Sequence, residues 1–296
     1  MNFSELTDRL ASINFSEELN SVEKEFGEEY LEILGSAKKK TSRMRNLVKK
    51  FPQMEANLMI IEGQGGTGKT YNVEDVLKKD LHMREDEGEG GDYVIWGSKM
   101  DATELYKLAY DHPNAGQILV FDDCDSVLGP GIINNLMKHL TDSYTVRKMS
   151  YTNQAMQEQG YKPEFKYAGK IIVLTNKTLN PANNMDHQAL VSRAIRNSLP
   201  FTNMEKVINA IHLMFVNNEK YRVDAEYKRR VNFCARFIWL NRKYFSNDNF
   251  SARAAKGIPD VLLGADDDPN DFVKQIQIQD YWKQPNDAKF HTRDNG

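Results

Sequence analysis

Four short apolar runs punctuate the middle of the chain: NLMIIE at Asn57, YVIW at Tyr93, QILVFD at Gln117 and KIIVLT at Lys170. Each stops where polar or glycine-rich residues begin. None alternates, which marks strands buried on both faces rather than half-solvated ones. Between them apolar positions fall at helical spacing, over Thr70 to Lys79, Ala102 to Tyr110 and Ile132 to Ser143. Strands interleaved with helices predict an α/β fold with a parallel sheet covered on both faces. A fifth strand is expected near Ser198 to Phe201. Upstream, Leu19, Val22, Phe26, Tyr30 and Ile33 recur at helical spacing behind Ser16, a capping residue, and predict an amphipathic N-terminal helix. Beyond Phe201 the pattern is purely helical. Met204, Val207, Ile208, Ile211 and Met214 share one face, and a second helix follows around Tyr227 to Leu240. EDEGEGGD from Glu85 reads as a mobile surface loop.

These patterns divide the chain into an N-terminal helical segment (1–52), an α/β domain (53–201), a small C-terminal helical domain (202–264) and a polar tail (265–296) that is expected to be partly disordered. With 296 residues, 40% of them hydrophobic, there is material for one sizeable core and a smaller one. The longest apolar run, Leu58 to Ile61, falls far short of the roughly 20 residues that a membrane span needs. The polar, acidic N-terminus does not read as a signal peptide, so no membrane partner and a cytoplasmic location are expected. Cys124 and Cys234 show neither a metal-ligand spacing nor a disulfide framework and read as small core residues. A net charge of −3 leaves polyanion contacts to local clusters. One such cluster, Lys38 to Lys50, holds seven basic residues and no acid. It is either a solvated helix face or linker, or a phosphate-backbone contact.

The chemistry concentrates in a few places. Gly63, Gln64, Gly65, Gly66, Thr67, Gly68, Lys69 and Thr70 satisfy the eight-residue Walker A pattern, between an apolar strand and a helix as that pattern requires. Glycines let the backbone curl so that N–H groups face phosphate oxygens. Lys69 is then placed for the β- and γ-phosphates of ATP, and the Thr70 hydroxyl for Mg²⁺. The strand ILVFDD ends in paired carboxylates, with Asp122 the candidate Mg²⁺ ligand and Asp123 the candidate residue that polarises the attacking water; Asp125 is the reserve.

With these motifs in place, the stretch from Asn57 to Leu263 resembles the AAA+ ATPases, and is similar to AAA proteins commonly encoded by bacteriophages. The resemblance implies an AAA+ P-loop domain with a five-stranded parallel sheet, a C-terminal helical lid and N-terminal helices. It also implies ATP hydrolysis and a homo-oligomeric ring, a hexamer being one form. If phage-encoded, the protein would act in the host cytoplasm. By the same resemblance Asn176, ending KIIVLTN, stands at sensor 1, which orients the lytic water. HQALVSRAIR resembles the Ser-Arg-Cys motif of clamp loaders with Ala194 in place of cysteine, so that Arg193 inherits the trans-acting finger, with Arg196 the alternative. Arg253 in FSARAAK is matched to sensor 2. Most relatives carry Glu where Asp123 stands.

What the ATP energy would move is open at this level. A nucleic-acid motor or loader acting on single- or double-stranded DNA has support from the basic segments at Lys38 to Lys50, Arg147 to Lys148 and Lys228 to Arg230. SYTVRKMSYTNQAMQEQGYKPEFKYAGK, too long for an ordinary connection, reads as an inserted hairpin or pore element in which Arg147, Lys148 and Tyr151 could meet nucleic acid or pack between subunits. A remodeller acting on a protein partner has support from Trp96 followed by Gly97, in a loop where Trp96 and Met100 otherwise read as core and Lys99 as a polyanion contact. An assembly switch with slow turnover is the third reading, permitted by the Asp at position 123. A small-molecule kinase shares the P-loop but not the full set of Asn176, Arg193 and Arg253.

Overall fold

The computed structural model describes residues 24–88, 90–179, 185–216, 219–245, 250–265 and 268–278; Ser16, Leu19, Val22 and the tail from 279 onward lie outside them. The described residues form two compact units, one within residues 40–200 and one drawn from residues 1–39 and 201–296. Helix α1 (Glu28–Lys50) contributes to both.

The α/β unit is built on five parallel strands, β1 (Leu58–Gly63), β2 (Tyr93–Trp96), β3 (Ile118–Asp122), β6 (Lys170–Thr175) and β7 (Ala194–Leu199). Their order across the sheet is β2-β3-β6-β1-β7. The central strands lack alternation because both faces are covered. Leu58, Ile60, Leu119, Phe121, Ile171 and Val173 enter one core, while Met59, Ile61, Ile172 and Leu174 are equally buried on the other side. Each such aliphatic side chain contributes about 1.5–3 kcal/mol by leaving water. The fifth strand begins four residues before the expected Ser198, so that Arg196 lies on it rather than ahead of it.

Helix α2 (Lys69–Asp75) runs on into a wider turn, Val76–Asp80. Helix α3 (Ala102–Asp111) opens with a complete capping box, in which Asp101 accepts from the backbone of Glu104 and the Glu104 side chain accepts from that of Asp101. Helix α4 (Ile132–Leu140) ends three residues short of the expected Ser143, its last turn closed by Thr141 donating to the Met137 carbonyl. The stretch from Glu85 is organised around Asp86, which accepts from the Gly88 and Gly90 N–H groups and bonds the His112 ring at 2.6 Å. Gly91 is required there, because a Cβ would come within 2.5 Å of the Asp86 backbone.

The long insertion is an antiparallel pair, β4 (Arg147–Ser150) with β5 (Glu164–Tyr167), joined through α5 (Gln154–Glu158). Three of its aromatic rings pack inward, Tyr151 and Phe165 on Tyr106 at 5.5 and 5.0 Å between ring centroids and Tyr161 on Tyr110 at 5.2 Å, while Tyr144 is exposed. Arg147, expected as an exposed cation, is buried. It donates to the carbonyls of Tyr144, Thr145 and Gly169 and lies over the Tyr167 ring. An inserted hairpin is thus present, but Arg147 and Tyr151 serve its packing. Helix α6 (Met185–Val191) leads into β7.

The other unit is helical, with α7 (Asn203–Phe215), α8 (Glu219–Val223), α9 (Ala225–Leu240), α10 (Arg242–Phe245), α11 (Ala252–Gly264) and α12 (Pro269–Ile278). Its core is aromatic, with Phe237 packed against Phe245 and Phe272. Phe26, Tyr30 and Leu34 from the beginning of the described chain share that core, as do Phe272 and Ile276 from a segment read as tail. Cys124 and Cys234 are both buried, one in each unit.

Candidate functional site at the carboxyl ends of three strands

In a parallel sheet every strand ends on the same edge, and the loops that follow gather there. At this edge β1 passes into the loop Gly63 to Gly68, β3 into Asp122 and Asp123, and β6 into Thr175 and Asn176. The order of strands decides which of these meet. Because β6 lies between β1 and β3, Asn176 emerges between the glycine loop and the carboxylates.

The loop is shaped by backbone that other residues adopt poorly. Gly66 and Gly68 have φ of 74° and 81°, and Gly68 sits at the N-cap of α2. Gly63 packs against β7, where a Cβ would come within 3.1 Å of the Leu199 Cβ. Thr67 Oγ1 donates to the Gln64 carbonyl at 2.9 Å and closes the loop from inside. Lys69 Nζ donates to the Gly63 and Gln64 carbonyls at 2.7 and 3.2 Å and to Asn176 Oδ1 at 2.7 Å. Asn176 Nδ2 in turn donates to Asp123 Oδ1 at 2.7 Å. A single amide therefore joins the lysine to the second carboxylate of the acidic pair. Burial pushes the Lys69 pKa below its ordinary value, with Asp123 and Asp122 pulling the other way.

Beside this chain of bonds, Thr70 Oγ1 donates to Asp122 Oδ2 at 2.8 Å. A hydroxyl and a carboxylate so close offer hard oxygen ligands to one point, the donor type that suits Mg²⁺ bound through one or two protein groups and substrate phosphates. Among the described residues, no group of three or more His, Cys, Asp or Glu side chains is arranged to hold a metal unaided. Asp123 adopts a left-handed backbone, φ 52°, fixed by its N–H donating to the Leu174 carbonyl at 3.1 Å. Apart from Gly, Asp and Asn tolerate such positions best, and they recur where function constrains the chain.

Two residues singled out from sequence are engaged elsewhere. Asp125 accepts from Thr175 Oγ1 at 2.8 Å and pairs with Lys177 at 2.9 Å, so it braces the turn carrying Asn176. Arg196 Nε and Nη2 both donate to Glu62 Oε1, at 2.8 and 2.6 Å, and Nη2 also donates to the Leu179 carbonyl. Arg193 is half-buried, its Nη1 donating to the Ala189 carbonyl at 2.6 Å. Arg253 is exposed on the first turn of α11 in the helical unit, so the hydrogen-bonded set just described, all of it within residues 40–200, does not include it.

Met100 is buried, Trp96 half-buried and Lys99 exposed. Glu62, Thr175 and Lys177 did not stand out in the sequence. The signal for Glu62 was there, since it is the only charged residue in NLMIIE and had to be paired once β1 became a central strand.

No family model matches the chain. It is similar, at 28% identity over 149 residues, to an uncharacterized 36.7 kDa protein in the nrdC-mobD intergenic region of Enterobacteria phage T4. The match covers 46% of this chain and 43% of the relative, less than half of either, and supports a relationship to phage proteins.

Proposed function

We propose that this protein is a Mg²⁺-dependent ATPase of the AAA+ type. The observation that carries the reading is the Asn176 amide, bonded at 2.7 Å on one side to Lys69 of the glycine loop and at 2.7 Å on the other to Asp123. In this reading the loop from Gly63 to Gly68 turns its N–H groups to the phosphates, and Lys69 exchanges its carbonyl partners for their oxygens. Mg²⁺, held through Thr70 and Asp122, would offset the negative charge gathering on the phosphates. Asp123 accepts a hydrogen bond from the attacking water while Asn176 holds that carboxylate in place. The water oxygen bonds to the γ-phosphorus, the bond to the β-phosphate bridging oxygen breaks, and the water proton leaves to Asp123 or to the released phosphate.

The resemblance adds a homo-oligomeric ring in which one subunit's arginine completes a neighbour's site. Because Arg196 is engaged with Glu62, Arg193 is the better supported of the two for that role. A second reading, a nucleotide-controlled assembly switch with slow turnover, is favoured by Asp123 itself, whose side chain is one methylene shorter than Glu and already bonded to Asn176.

Steady-state phosphate release from ATP with and without Mg²⁺ tests the proposal. The wild type is expected to turn over only with the metal, and Asn176→Ala to keep ATP affinity while turnover falls by about 100-fold, the usual cost of one preorganised polar group. Absence of both ATP binding and hydrolysis by the wild type would sink it. Tight binding with a single turnover per subunit selects the switch.

A further inference from the structure

The seven cations between Lys38 and Lys50 lie on helix α1, and the structure separates them into two kinds. Lys40 donates to the Pro200 carbonyl at 2.8 Å, and Arg45 pairs with Asp75 at 2.8 Å and approaches Asp80 at 3.5 Å. These two hold the helix in place. The other five, Lys38, Lys39, Arg43, Lys49 and Lys50, are exposed, and among the described residues none of them has an acidic partner.

At 100° per residue the five fall within about 140° of arc. At 1.5 Å per residue they extend along about 18 Å of helix. Exposed Ser42 and Asn46 lie in the same arc. The macrodipole accounts for Lys49 and Lys50 in the last turn but not for Lys38, Lys39 and Arg43, all of them N-terminal to that turn. Nor does pairing along the helix account for them. Lys39 and Arg43, like Arg45 and Lys49, stand four residues apart with like charges, which opposes helix formation. The chain as a whole is acidic, so the stripe is a local departure from its surroundings.

We infer that this face of α1 is a docking surface for the phosphate backbone of a nucleic acid, without base preference. Over 18 Å a duplex presents about five phosphates per strand, matching five free cations, with the Ser42 hydroxyl and the Asn46 amide as phosphate hydrogen-bonding groups. The exposed arc offers no aromatic ring to stack a base, which separates it from single-strand binding platforms. A bilayer is a poor occupant. The apolar side of α1 (Tyr30, Leu34, Ala37, Met44 and Val48) is buried within the protein, and the one large apolar side chain that the described helix exposes, Leu31, is too little to insert among lipid chains. The inference does not rest on the ATPase reading, and its test uses no nucleotide.

The full-length protein is titrated against a fluorescently labelled 20-base-pair duplex of mixed sequence, by anisotropy, between 50 and 200 mM NaCl. The duplex is expected to bind with an affinity that falls linearly in log–log form as salt rises. R43Q/K49Q/K50Q is expected to lose at least tenfold in affinity at 100 mM and to flatten the slope by up to about 0.9 for each phosphate contact removed. Glutamine keeps helix propensity, so far-UV circular dichroism and Tm should match wild type. K148Q/K166Q, which removes exposed charges from the hairpin, should bind as wild type does. Overturning results are wild-type affinity in R43Q/K49Q/K50Q, no duplex binding at 50 mM salt, or retention on poly-glutamate or phosphatidylserine vesicles but not on DNA.

Discussion

The two compact units use their polar residues differently. In the α/β unit, polar side chains converge: Lys69, Thr70, Asp122, Asp123 and Asn176 come from three strand ends and bond to one another. In the helical unit they serve the packing. Arg236, itself buried, pairs with Glu25, Arg242 with Glu29 and over the Trp239 ring, and Tyr221 donates to Asn232 at 3.2 Å. What fills the interior there is aromatic surface, with Phe26, Tyr30 and Trp239 at one place and Phe233, Phe237, Phe245 and Phe272 at another. A parallel sheet delivers unlike residues to one edge whatever their separation in sequence, whereas helices packed on aromatic rings deliver stability. Under the proposed function, chemistry and rigidity fall to different parts of one chain.

That division predicts substitutions that damage one unit and spare the other. The largest effect is expected from Phe237→Ala. It leaves a cavity between Phe233, Phe245 and Phe272 and should cost about 3–5 kcal/mol, read as a lowered denaturation midpoint. If nucleotide binding is lost at temperatures where that variant is still folded, the separation of roles fails. Next comes Lys69→Ala, which should lower ATP turnover by at least about 100-fold while leaving Tm close to wild type, since the lysine's partners are polar groups at a loop. Equal turnover in the variant would remove the glycine loop from the mechanism.

Arg196→Ala crosses the division within the α/β unit itself. Glu62 is almost fully buried, so removing its guanidinium partner should destabilise by about 2 kcal/mol, seen in chemical denaturation. Because β1 carries the glycine loop, ATP affinity is expected to fall with it; an effect on turnover alone would return Arg196 to the role of finger. The smallest effect concerns Asp86. The Gly88 N–H holds its carboxyl below the ordinary range against some cost of burial, with His112 and the Gly90 N–H adding to it. A depressed carboxylate stabilises the fold fully above its unfolded pKa, about 3.9, and that stability is lost as pH falls through the lower folded value. The Tm gap between wild type and Asp86→Asn should therefore shrink as pH falls below about pH 4. A gap unchanged at low pH would mean that Asp86 contributes shape and no charge.

Local readings succeeded where the structure is local. The runs at Asn57, Tyr93, Gln117 and Lys170 became strands close to where their apolar pattern placed them, and the glycine loop follows the first of them. Readings that depended on neighbours did not transfer so well. Arg147 looks like any surface cation in sequence, yet the hairpin buries it over the Tyr167 ring and gives its guanidinium three carbonyls. Asp125 and Arg196 carry the right groups for catalysis, and both are claimed by partners far away in sequence, Thr175 and Glu62. The basic run at Lys38 to Lys50 could be counted from the sequence, but which cations are spent on carbonyls and carboxylates and which remain free could not.

By itself the sequence determined the α/β class, the glycine loop with its lysine and threonine, and the carboxylates ending an apolar strand, because backbone conformation and strand burial are set by residues next to one another. Only the tertiary structure decided that the strand bearing Asn176 lies between the other two, that its amide bridges Lys69 to Asp123, and which charges are left facing solvent. Those outcomes follow from the order in which strands pair, and strand pairing joins residues whose distance along the chain carries no information about their distance in space.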